Sequence, residues 1–150
     1  MKKHPEHGHG ASSHGDHGHA HGHGHGHGHG AAAGHGGPAH VVDVDEHGFA
    51  EVVIEGSRQR LVLVDFWAEW CPPCRALGPT LERLAHEFSG RFLLAKVEVD
   101  DNMRLAGHYK LRGFPTVIFF RHGEPVSHFA GNKPLHTVRE LIEQHLQGEA

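Results

Sequence analysis

The chain has 150 residues and a formal net charge of -4, with no run of lysine or arginine that could neutralise a row of phosphates, so nucleic acid is not an expected partner. Its 20 histidines and 21 glycines are far above ordinary usage. No stretch approaches the roughly 18 apolar residues needed to span a bilayer, so no membrane partner is expected.

Taken in chain order, the start MKKHPEHGHG has two lysines but no apolar run behind them, and a cytoplasmic location is expected. Residues 1–39 hold 12 of the histidines and 12 of the glycines, with hardly an apolar side chain larger than alanine. Nothing there offsets the entropy of ordering the chain, so this segment reads as a disordered His/Gly-rich tail. Residues 40–150 read as one globular domain, since roughly 110 residues bury one modest core without disulfide staples. In the tail, HGHAHGHGHGHGHG places His17, His19, His21, His23, His25, His27 and His29 at alternate positions. The intervening glycines let several imidazoles converge on one ion, and imidazole suits Zn, Ni and Cu. Such binding weakens at low pH, because only the neutral ring ligates. The plainer alternative is a solvating low-complexity segment.

Within the domain, VVDV at 41–44 reads as a short strand and residues 49–54 as a short helix. LVLVDF at 61–66 is short, apolar and rich in β-branched residues, as for a strand buried on both faces, and Asp65 alone breaks the pattern. Leu77, Leu81, Leu84, Ala85 and Phe88 then fall at spacings of three and four, which makes one apolar helix face, and Ser89-Gly90 supplies the stop. FLLAKVEV at 92–99 predicts a second strand, parallel to the first given the crossover between them. A short helix over 100–110 follows, then TVIFF at 116–120 and VSHFA at 126–130 flanking a His122-Gly123 turn, which predicts an antiparallel hairpin. Val138, Leu141, Ile142 and His145 close the chain with an amphipathic helix, on which His145 reads as a packing histidine. The order is α/β: βαβα followed by ββα.

The only two cysteines lie in WCPPC, residues 70–74, where the long helix begins. A thiolate, not a thiol, attacks a disulfide, and the unpaired N–H groups and positive dipole of a helix start favour it at Cys71. Cys74, one turn inward and more shielded, suits the role of resolving thiol. Spacing i, i+3 puts both sulfurs on one face, close enough to form a disulfide. Pro72 and Pro73 are tolerated because a first-turn N–H is unpaired anyway. A structural disulfide, or a zinc site completed by two histidines, stands beside this redox reading. A carboxylate inside an apolar strand loses acidity by desolvation, which suits Asp65 to proton transfer near neutral pH.

VDFWAEWCPPC, LAKVEVD, LRGFPT and FAG together resemble the thioredoxin family through nearly all of residues 41–147. The resemblance implies a central mixed β-sheet flanked by helices and a protein thiol-disulfide oxidoreductase cycling Cys71 and Cys74 through a mixed disulfide. It implies disulfide-containing client proteins as substrates and an NADPH- and flavin-dependent thioredoxin reductase as partner, with no cofactor bound for catalysis and a monomeric chain. By the same resemblance Asp65 passes protons to and from Cys74, and Lys96 lies near that acid. Pro115 is the family's cis-proline facing the disulfide, while Trp70, Phe114, Ala130 and Gly131 form an apolar rim for the client. Pro79 kinks the long helix. The departure is Pro72, where the family ordinarily carries glycine; the W-C-P-P-C form also occurs among membrane-anchored or periplasmic relatives. A rival reading from the tail is a metal buffer or metallochaperone that uses the redox domain as a platform.

Overall fold

The computed structural model describes residues 40–147. The expected disorder of residues 1–39 and the metal ligands assigned to His17–His29 lie outside the described residues. At the centre of a five-stranded sheet runs β2 (Leu61–Trp67), parallel to β3 (Phe92–Glu98) and antiparallel to β4 (Thr116–Arg121). The short β1 (Val41–Asp43) lies parallel on the outer side of β3, and β5 (Glu124–Ala130) lies antiparallel on β4, giving the order β1-β3-β2-β4-β5. The expected mixed sheet is present. Among the described residues three α-helices accompany it: α1 (Pro72–Glu87), α2 (Met103–His108) and α3 (Leu135–Leu146).

Two cores flank the sheet, and the alternation of β2 divides its side chains between them. Leu61 and Leu63 pack with Leu77, Leu81 and Leu84 of α1 and with Val138 and Ile142 of α3. Val62, Val64 and Phe66 belong to the opposite cluster with Phe49, Val53 and Phe120, joined by the part-buried Tyr109. A strand covered on both faces is apolar at nearly every position, which is why the run LVLVDF carries no alternation and Asp65 stands out in it. Asp65 shares the face of Leu61 and Leu63, under α1 rather than in solvent.

Two helices differ from the sequence reading. The short helix expected over 49–54 forms, but as a π-helical run at Ala50–Glu55 that passes into a 3-10 turn at Gly56–Arg58. Three successive β-branched residues, Val52, Val53 and Ile54, crowd a regular turn, and no side chain caps its start. The helix expected over 100–110 is split into a 3-10 turn at Val99–Asp101 and α2. The break is Asn102, which is buried and adopts a non-helical φ of -141°. Its amide nitrogen donates to the Glu98 carbonyl at 2.9 Å, and its Oδ1 accepts from the Glu46 N–H at 2.8 Å. These bonds compete with the helix ladder and also fasten the loop after β1 to the end of β3.

The hairpin forms as expected. His122 and Gly123 both have positive φ, 56° and 87°, the condition for a two-residue turn that matches the strand twist. Gly123 N–H donates to the hydroxyl of the buried Ser57 at 2.9 Å, which pins this turn against the 3-10 segment.

Candidate active site

The loop after β2 carries Trp70 into Cys71, the N-cap of α1, with φ -107° and ψ 101°. Cys71 Sγ accepts the Cys74 N–H at 3.2 Å, as an N-cap side chain does with the third helical residue. Pro72 and Pro73 fill the first two helical positions and have no N–H to offer, so the Cys74 amide is the first in the helix able to donate. The two cysteines are joined as a disulfide with a Cα–Cα distance of 5.3 Å, inside the usual range. One expectation fails: Cys74 is not the more shielded residue, because both cysteines are 3% exposed. Cys71 owes its cover to the neighbouring loop, where the Phe114 carbonyl oxygen lies 3.4 Å from its Sγ.

That loop brings the expected rim together. Trp70 is 62% exposed and meets Phe114 edge to face, with ring centres 6.1 Å apart. Its indole N–H donates to Asp100 Oδ2 at 2.9 Å. The Phe114–Pro115 peptide bond is cis. Gly131 donates its N–H to the Pro115 carbonyl at 2.9 Å while adopting a φ of 85°, a left-handed conformation natural to glycine. Ala130, the exposed last residue of β5, pairs with Thr116 immediately after the proline. Trp70, Phe114, Pro115, Ala130 and Gly131 are thus linked by contact, strand register or hydrogen bond, three separate chain segments meeting beside one disulfide.

Beneath the helix lies a second group. Asp65 is 1% exposed, and among the described residues its Oδ1 has no hydrogen-bond partner. Burial pushes its carboxyl up to about 7, against the pull of Lys96 and with a contribution from Glu82. Lys96 is the register partner of Asp65 on β3. Its ammonium stands 5.5 Å from the centre of the Trp67 ring and donates to Glu82 Oε2 at 2.6 Å. Burial thus brings Asp65 towards titration near neutral pH, and Lys96, the cation that opposes this, is already engaged by another carboxylate.

Two residues escaped the sequence reading. Asp100 lies in the stretch LAKVEVD that carries the family pattern, but nothing in the sequence marks it as the acceptor for Trp70. Glu82 had a legible signal, since Cys74, Gly78 and Glu82 are four residues apart and share one helix stripe. His145 behaves as expected: its Nδ1 lies 2.9 Å from the Leu141 carbonyl oxygen and its ring packs on Phe119. Among the described residues no group of three or more His, Cys, Asp or Glu is placed to hold a metal ion, so the zinc alternative built from both cysteines and two histidines is not assembled there. Among the same residues no helix is long and apolar enough to cross a membrane.

With this geometry in view, the comparisons with known proteins agree with one another. The profile of the family described as Thioredoxin matches residues 40–144. A thioredoxin of Chlorobaculum thiosulfatiphilum is 40% identical over 87 residues, covering 58% of this chain and 81% of that protein. A thioredoxin of Staphylococcus saprophyticus is 38% identical over 106 residues, covering 71% of this chain and 98% of the relative. A protein named thioredoxin 2 from Chlorobaculum tepidum is 35% identical over 102 residues, 68% of this chain and 91% of its own length.

Proposed function

The chain belongs to the thioredoxin family and is a protein thiol-disulfide oxidoreductase, and on that premise we propose that it works as a disulfide reductase with Cys71 as nucleophile and Cys74 as resolving thiol. The observation that carries the assignment is the N-cap position of Cys71, whose sulfur accepts the Cys74 N–H. A negative sulfur there meets a donor and the positive end of α1, whereas Cys74 lies inside the first turn.

The Cys71 thiolate attacks one sulfur of a client disulfide; a Cys71–client bond forms, the client S–S bond breaks, and the departing client sulfur takes up a proton. Cys74 then loses its proton towards Asp65 and attacks Cys71 Sγ. The mixed disulfide breaks, Cys71–Cys74 closes, and the client leaves with two electrons and two protons gained. Trp70, Phe114, Pro115, Ala130 and Gly131 hold the client segment beside the sulfur, Lys96 tempers the charge on Asp65, and no bound cofactor takes part. A flavin- and NADPH-dependent thioredoxin reductase restores the dithiol. The enzyme acts in the cytoplasm as a monomer, with residues 40–150 as its catalytic domain. Insulin reduction, read as turbidity, tests the core of this reading: activity that survives Cys71→Ser sinks the assigned nucleophile.

A second reading rests on the alternate histidines at 17–29. The tail binds Zn, Ni or Cu through several imidazoles at once, so the chain also serves as a metal buffer or metallochaperone. Deleting residues 1–39 discriminates. Loss of divalent-metal binding with reductase activity retained supports a separate tail role, and metal tolerance of growth unchanged by the deletion counts against it.

A further inference from the structure

Glu82 has no part in the cycle described above, yet its placement ties it to the acid of that cycle. Cys74, Gly78 and Glu82 recur every four residues along α1 and form one stripe, buried at Cys74 and Gly78 and part-exposed at Glu82. A Cβ added at Gly78 would come 4.0 Å from Lys96 Nζ, so the ammonium passes close along this stripe. It ends on Glu82 Oε2 at 2.6 Å, with the lysine side chain 19% and the glutamate side chain 43% exposed. Lys96 is nonetheless the direct register partner of Asp65, whose Oδ1 finds no hydrogen-bond partner among the described residues. The charges acting on Asp65 are Lys96 from β3 and Glu82 from α1. Its β4 partner Val117 and its same-face neighbours on β2, Leu63 and Trp67, carry none.

We propose that Glu82 is a positioning residue for the redox cycle: by holding the Lys96 ammonium against α1 it keeps that cation from pairing with Asp65, and so sets the pH at which Asp65 takes up the proton of Cys74. The inference rests on the reading of Asp65 as the base for Cys74. Both effects of Glu82 have the same sign, because its own charge opposes a second carboxylate nearby and its grip on Lys96 withholds the cation that would favour one. Neutralising Glu82 therefore makes the Asp65 carboxylate available at lower pH. Removing the lysine charge does the reverse.

The test uses the full chain. Insulin reduction is followed from pH 5 to 9 alongside a carbon-13 titration of the Asp65 carboxyl in the reduced protein, for wild type, Glu82→Gln, Glu82→Asp, Lys96→Met and Asp65→Asn. In Glu82→Gln the acid limb of the rate profile and the Asp65 titration both move down by about half a pH unit. Lys96→Met moves them up, and Glu82→Asp, which keeps the charge, restores most of the wild-type position. Because Glu82 is partly exposed, these substitutions leave the fold in place, and a merely structural role would change rates without moving the limb. Wild-type and Glu82→Gln profiles that coincide in both measurements overturn the inference. Asp65→Asn separates the two levels: if the acid limb persists without Asp65, the reading of the base is wrong and the inference goes with it. If the limb disappears in Asp65→Asn but does not move in Glu82→Gln, only the role of Glu82 is lost.

Discussion

The indole nitrogen of Trp70 donates a 2.9 Å hydrogen bond to Asp100 Oδ2, from the residue just before the nucleophile to the 3-10 turn after β3. A tryptophan that is 62% exposed would otherwise sample several rotamers, and this bond orders the ring before a client arrives. Asp100→Ala is expected to raise the KM for insulin or a disulfide peptide roughly threefold to fivefold, the effect of losing a hydrogen bond worth about 1 kcal/mol. The kcat and the melting temperature stay close to wild type, because neither the sulfurs nor the core is touched. An unchanged KM would falsify the positioning role.

Division of labour between the sulfurs is separable by trapping. In Cys74→Ser the N-cap sulfur keeps its helix-start environment but nothing resolves the mixed disulfide. Incubation with a disulfide peptide should therefore accumulate about one equivalent of covalent adduct, visible as a mass increase and removed by dithiothreitol. Cys71→Ser should form little adduct under the same conditions. Equal adduct in both variants would show that position along α1 does not decide which sulfur attacks, a live question because the two residues are equally buried.

Asp65 makes the stability of the oxidised domain depend on pH. Its carboxyl is held at about 7 against an ordinary 3.8, so the folded state binds this proton more tightly than the unfolded state. The stabilising contribution is fully present below the unfolded value and is lost as pH rises through the folded one. Asp65→Asn, which removes the titration at nearly constant shape, should leave the urea stability little changed at pH 4 and increase it at pH 8. The gain expected from a shift of about three units is on the order of 2–4 kcal/mol. A gain of the same size at both pH values would mean that the carboxyl does not titrate in this window. Reductase turnover should fall in the same variant, so stability and activity move in opposite directions at one residue.

The sequence showed β2, α1, β3 and the hairpin because each is marked by a strong local pattern: an apolar run, an i, i+3, i+4 face, or a His-Gly turn. Asp65 was legible as the one polar residue inside such a run, and the cysteine pair as the one C-x-x-C at a helix start. The helix split at Asn102 was not, because the bonds that break it reach Glu98 and Glu46, and the latter is 56 residues away. Glu82 and Asp100 were missed for a related reason. Each acts through a partner on another element, Lys96 on β3 and Trp70 in the loop after β2, and acidic residues on a helix or turn are usually solvated. The equal burial of the cysteines was also out of reach, since cover for Cys71 comes from Phe114, 43 residues on.

Two prolines in succession leave Cys71 Sγ with one backbone donor, the Cys74 N–H at 3.2 Å. An N-cap side chain ordinarily accepts from the second or third helical residue, and here the second, Pro73, has nothing to give. Pro73→Ala supplies that missing N–H without adding charge or bulk. A second donor favours the thiolate over the thiol, so reduced Cys71 should react with iodoacetamide roughly threefold faster at pH 6 than in wild type. At pH 9, where a difference in ionisation counts for less, the rates should converge, or the variant should be slightly slower because a better-stabilised thiolate is a weaker nucleophile. Alanine also frees the backbone of the four-residue ring, which by itself would slow closure of Cys71–Cys74 at every pH. Alkylation involves no ring closure, so its rate isolates the first effect: a rate ratio that falls from pH 6 to pH 9 reports the new donor, while a ratio of one at both pH values would mean that the missing N–H at Pro73 does not limit the nucleophile.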